Sequence, residues 1–196
     1  MTSKVVKRTR ILACGVFKPA IENLRLGTRY PHLHFTYLPP VLHITPQKLE
    51  KHLQRRINAA QRNDEKILCL YGECIADIHN FCQCRGVLKV PGRSCYEMLL
   101  GTERFEKFMD ETAGTYFLEK ELILNFREYC IEPLELDDAE MRECYFKHYQ
   151  KLIYIRQPTD PNLLSQAHDL ADLLELSLAI SDADYSHLEK ALTKLI

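Results

Sequence analysis

Apolar and polar positions along the chain follow two alternating periods. Short, almost continuously apolar runs occur at residues 10–14, 34–38, 66–71, 86–90, 151–156 and 176–180. Between them lie longer stretches whose apolar residues recur three and four apart. The clearest is 46–62, with Leu49, Leu53, Ile57 and Ala60 on one face. Runs of the first kind predict strands, those of the second kind helices, and their alternation predicts parallel strands joined by crossover helices. Helices are expected at 17–26, 46–62, 75–84, 96–110, 119–129, 138–150, 161–174 and 185–195, with Asp160 as the N-cap of the seventh. Residues 114–117 fit either a short strand or an extended loop. The expected fold is a three-layer, Rossmann-like α/β fold with a mostly parallel sheet of six strands flanked by helices, in a single domain over 1–196.

Composition narrows the class. Apolar residues make up 46% and charged residues 27%, a globular balance. The net charge of −1 provides no global field to attract nucleic acid or an anionic membrane, so neither is expected as a partner. Residues 1–9 read as a flexible basic lead-in without the apolar stretch of a signal peptide. No run approaches the ~18 to 20 apolar residues that a membrane-spanning helix requires. A cytoplasmic location is expected, with the eight cysteines as reduced thiols rather than a disulfide framework.

The cysteines then become the candidate chemistry. In open α/β sheets, ligands bind beyond the carboxyl ends of the strands, where loops converge. Cys14 ends the first predicted strand in Ala-Cys-Gly, Cys74 follows the third in Tyr-Gly-Glu-Cys, and Cys95 follows the fourth in Pro-Gly-Arg-Ser-Cys. His43 occupies the equivalent loop after the second. Three thiolates from separate crossings suit a soft metal, either tetrahedral zinc completed by His43 or water, or an iron–sulfur cluster with one iron free of cysteine. Glu73 and Glu97 are candidate acid/base groups and Arg93 a candidate anion clamp. Taken singly, each of these residues has a plainer reading, as a small buried hydrophobe or a solvated charge. Cys82 and Cys84 form a Cys-x-Cys that could join Cys74 in a local metal knot, but residues two apart on a helix point in different directions. Walker, dinucleotide-fingerprint, nucleophile-elbow and His-Glu-x-x-His motifs are absent, which removes support from those enzyme classes.

The run ILACGVFKPAIENL, the tract ILCLYGEC, the segment VPGRSCYEMLLGTERFEKFMDETAGTYF and the closing HYQKLIYI together resemble the DUF1638 family of bacterial and archaeal proteins. The resemblance implies an association with one-carbon or corrinoid methyl metabolism, and it carries Cys14, Cys74 and Cys95 over as the family's positions. The chain departs from the family pattern at Ile75-Ala76-Asp77, where glycine-rich residues usually stand, and at Arg93-Ser94, where His-Asp often precedes the cysteine. The resulting expectation is a metal-dependent cysteine site acting on a small sulfur- or methyl-bearing substrate. The alternatives are a non-catalytic accessory protein serving a corrinoid protein or methyltransferase, and a structural module with inert buried thiols.

Overall fold

A computed structural model describes residues 7–196; the first six residues of the expected lead-in lie outside the described residues. The chain is α/β and divides into two compact units, one ending at Met98 and rejoined by Leu188–Ile196, the other spanning Leu99–His187.

The first unit runs β1 (Thr9–Cys14), α1 (Lys18–Asn23), α2 (Leu26–Arg29), β2 (Leu33–Leu38), α3 (Pro46–Arg62), β3 (Lys66–Leu70), α4 (Ile78–Gln83), β4 (Leu88–Lys89) and the start of α5 (Cys95–Leu100). Its four strands are all parallel, in the order β2-β1-β3-β4. Ile11, Leu12 and Ala13 on β1 and Leu68, Cys69 and Leu70 on β3 are fully buried, so both faces of these central strands are covered. One covering layer is α3 and α4: Leu49, Leu53, Ile57 and Ala60 from α3 and Ile78, Phe81 and Cys82 from α4 pack on Leu12, Cys69 and Tyr71. Pro46 at the first helical position and the apolar spacing of α3 make it the longest helix among the described residues. The path β1 to β2 steps one way and β2 to β3 returns across β1, so the order reverses between β1 and β3, the place where α/β sheets open a crevice.

At the other end of the strands, the buried Glu65 carboxylate receives the Arg10 guanidinium on both oxygens at 2.9 Å, with Arg8 Nε at 3.0 Å. Arg10 first of all holds the Glu65 carboxyl below its ordinary pKa.

The second unit contains α6 (Thr102–Glu111), β5 (Thr115–Leu118), α7 (Lys120–Leu124), α8 (Ala139–Phe146), β6 (Lys151–Arg156), α9 (Leu164–Leu174), β7 (Ser177–Asp182) and the first turn of α10 (Ser186–Thr193). Its three strands are parallel in the order β5-β6-β7. Leu118, Leu152 and Tyr154 pack with Ile123, Phe126, Leu136, Ala167 and Ala171 in its core.

The expected single six-stranded sheet is therefore corrected to two parallel sheets of four and three strands. Of residues 114–117, left open between strand and loop, 115–117 lie in β5, which pairs with β6. An apolar strand run records that it is buried but not which neighbour buries it, so sheet membership was not written in the pattern. Asp160 does not cap α9, which begins three residues beyond Pro161; its Oδ2 instead accepts from the Tyr154 hydroxyl and the Gln157 N–H, both at 2.9 Å.

Glu119 caps α7 by accepting from the Glu121 and Leu122 N–H groups, each at 2.9 Å, and is 5% exposed. Burial, reinforced by the Glu121 and Asp160 carboxylates and opposed by the two cap bonds, pushes its pKa up to about 7. A raised carboxyl pKa means the folded chain holds the proton more tightly than the unfolded chain. Ionisation therefore destabilises the fold progressively from the ordinary carboxylate value up to about 7. Chemical denaturation should show the stability of wild type falling relative to Glu119→Gln between about pH 4.5 and about pH 7, and a pH-independent gap would contradict this.

Candidate functional site at the carboxyl edge of the first sheet

The continuous apolar run of β3 ends in Tyr71-Gly72-Glu73-Cys74, and the chain there meets the loop that follows β4. The Glu73 N–H donates to the Arg93 carbonyl at 2.7 Å. Gly72 allows this approach: a Cβ at that position would lie 2.6 Å from Ser94 Cα and 2.7 Å from the Arg93 carbonyl oxygen. The loop after β4 is fixed by its own polar groups. Glu97, 5% exposed, accepts from the Arg93 N–H at 2.7 Å and from Arg93 Nε at 3.3 Å, while the Glu97 N–H donates to Ser94 Oγ at 3.1 Å. Ser94 Oγ thus caps the start of α5, and the Glu97 carboxylate reaches back to the backbone one residue before the cap. Lys89 Nζ donates to the Val90 and Gly92 carbonyls at 3.1 and 2.7 Å. Gly92, at φ +135°, supplies a backbone conformation closed to other residues and lies under the Met98 side chain.

Between these two loops and the start of α4 lies a cavity of about 920 Å³, lined by Glu73, Cys74, Ile75, Asp77, His79, Lys89, Arg93 and Glu97, with Pro46 at the start of α3. Asp77, in the left-handed conformation, accepts from the Asn80 N–H at 3.2 Å and so begins α4 at the cavity wall. Burial pushes the Cys74 thiol above its ordinary pKa, with a hydrogen bond from the Gly72 backbone and the nearby Lys89 charge opposing the shift.

Of the residues singled out in the sequence, Glu73, Cys74, Arg93 and Glu97 line this one cavity, whereas Cys14, Cys95 and His43 do not. Cys14 ends β1 half-buried and packs, as Cys74 does, on the apolar layer beneath α3 and α4. Cys95 is the first residue of α5 and is half-buried. His43 lies in the exposed turn Pro40–Ile44 with Nδ1 2.7 Å from the Pro40 carbonyl oxygen. Among the described residues no three His, Cys, Asp or Glu side chains are gathered closely enough to hold a metal ion, so the expected three-cysteine centre is not preformed. No disulfide joins any of the eight cysteines.

The family model whose description is "Protein of unknown function (DUF1638)" matches residues 37–192, a span that includes both loops of the cavity. The chain belongs to the DUF1638 family. Searches of curated proteins and of solved structures return no significant match to it. Within this DUF1638 chain a second pair of thiols, from β3 and α4, lies in one core layer, a grouping the sequence reading did not make. Cys69 and Cys82 are both buried in the layer beneath α3 and α4; the neighbouring Cys82 first, then burial, raises Cys69 well above its ordinary pKa, while Cys69 lowers Cys82 against the opposing effect of burial. Tyr71 adjoins them, its hydroxyl donating to the Ala13 carbonyl at 3.2 Å, and burial first, then the nearby Cys14, Cys69 and Cys74, raise its pKa. The signal was available in the period of two, which sets Cys69 and Tyr71 on one face of β3, and in the spacing of four that sets Ile78 and Cys82 on one face of α4. Cys84, two residues on, is exposed, with Sγ 3.2 Å from Asn80 Oδ1, so the Cys-x-Cys pair diverges as helix geometry requires. Lys89, Asp77 and His79 were also missed; each is a single polar residue without a pattern to mark it.

No helix among the described residues is long and apolar enough to cross a membrane.

Proposed function

We propose that this chain binds a small sulfur- or methyl-bearing molecule in the cavity at the carboxyl edge of the four-stranded sheet and acts on it as an enzyme. The observation that carries this reading is the convergence of Glu73, Cys74, Arg93 and Glu97 on one cavity of about 920 Å³, within the size range of small-molecule sites. The reversal of strand order between β1 and β3 supports a Rossmann-like reading of the first unit, with its ligand at the strand ends.

The roles follow from the surroundings. Cys74 presents a protonated, polarisable sulfur to a methyl or sulfur group. Arg93, anchored through Nε, turns its guanidinium to an anionic substituent. Glu97 is engaged by the Arg93 N–H and holds the loop, which leaves the exposed Glu73 to move a proton at the mouth. A zinc or iron–sulfur centre would draw on Cys14, Cys74, Cys95 and His43. Since these donors are not gathered, no step is assigned to a metal. One observation favours the non-catalytic alternative, an accessory protein serving a corrinoid protein or methyltransferase: a thiol held protonated by burial suits a binding contact better than a nucleophile.

Alkylation by iodoacetamide, mapped by peptide mass spectrometry, tests the site. The probe 3-(methylthio)propionate should slow labelling of Cys74 while leaving the exposed Cys84 and Cys144 unchanged. Equal rates at all three with and without the probe would contradict the proposal.

A further inference from the structure

The chain carries two oppositely charged surfaces that the cavity does not use. The helix α3 bears Lys48, Lys51, Arg55, Arg56 and Arg62 against Glu50 alone. All five cations are exposed, and none makes an ion pair among the described residues. Spacings of three, four and seven place Lys48, Lys51, Arg55 and Arg62 in one stripe. At 1.5 Å per residue the stripe is about 21 Å long. In the second unit, residues 127–143 carry seven exposed carboxylates, among them Glu132, Glu135, Glu140 and Glu143, against Arg127 and Arg142. Arg127 pairs with Asp137 at 3.4 Å, and Arg142 donates to the Leu136 and Asp137 carbonyls, so six carboxylates make no ion pair among the described residues.

We propose that the chain self-associates, the basic stripe of α3 in one copy docking on the acidic 127–143 segment of a second copy. Charge complementarity selects this occupant. The acidic segment supplies anions in the number the stripe needs, and a net charge of −1 leaves two copies with almost no overall repulsion to oppose an oriented attraction. A nucleic-acid strand is the less suited occupant, because surfaces that track such strands set stacking aromatics among their cations, and the only aromatic ring on α3 is His52. Exposed pairs are individually weak, so the association is a salt-sensitive one made by several pairs together. Reciprocal docking of the two faces closes a two-fold dimer, and one-sided docking extends beyond a dimer or closes as a ring.

Sedimentation velocity of the full chain at about 20 mM and about 500 mM salt tests this, with association expected at low salt and at least about tenfold weaker at high salt. The charge reversals Lys51→Glu with Arg55→Glu, and separately Glu132→Lys with Glu140→Lys, should each give monomers with unchanged circular dichroism. Mixing the two variants should restore association. The proposal is overturned if the wild-type chain stays monomeric at low salt, if either variant associates as wild type does, or if the mixture stays monomeric. It is equally overturned if a fluorescent single-stranded DNA binds in an α3-dependent way while no self-association is seen.

Discussion

Replacing Gly72 with alanine is expected to lower the unfolding free energy by about 3 kcal/mol and to abolish ligand binding at the cavity. The added methyl would meet Ser94 Cα and the Arg93 carbonyl inside van der Waals distance, and both are backbone atoms that cannot rotate aside. The two loops must separate, which breaks the 2.7 Å bond from the Glu73 N–H to Arg93 and displaces Cys74 and Arg93 relative to each other. Gly86 provides the comparison. It has a positive φ of +65° but open space around its Cβ position, so Gly86→Ala should cost only the backbone strain, about 1 kcal/mol, and leave the cavity intact. Urea denaturation of both variants decides the matter; equal losses would show that close approach at Gly72 is not the constraint.

Glu65→Ala is expected to be of similar size, about 3 kcal/mol or more, because it leaves the Arg10 guanidinium, whose side chain is only 22% exposed, without its bidentate partner. The effect should arise from the uncompensated charge rather than from loss of a favourable pair. The double variant Arg10→Met, Glu65→Leu should therefore be more stable than Glu65→Ala alone. If the double variant were the less stable of the two, the ion pair itself would be the source of stability. Arg10 and Glu65 lie at the amino-terminal ends of β1 and β3, away from the cavity, so ligand binding should survive the substitution.

The legibility of this chain depended on how many residues shared each signal. The helix α3 was readable to its last residue because four apolar positions repeat at helical spacing behind a proline, and β6 because six consecutive residues carry one pattern. The single helix expected at 119–129 instead stops at Leu124 and resumes as a widened turn at Arg127–Ile131, a local adjustment that packing imposes and periodicity does not encode. At the site, the strand-end rule found the right loops but could not say where each side chain points. It therefore grouped Cys14, Cys95 and His43 with Cys74, although only Cys74 of these lines the cavity. Glu97 looked like a catalytic carboxylate, yet it follows Ser94 by three residues, the spacing at which a Ser and a Glu bind the backbone at a helix start, a pattern present in the sequence and passed over.

The proposed function requires that Cys74 line a cavity that accepts a ligand. Isothermal titration with 3-(methylthio)propionate addresses it directly, comparing wild type with Cys74→Leu, which fills the wall while preserving its apolar packing, and with Arg93→Ala. Saturable binding to wild type, at least about tenfold weaker in both variants, is the predicted result. Absence of saturable binding to the wild-type chain, or binding indifferent to both substitutions, would contradict the assignment of the site.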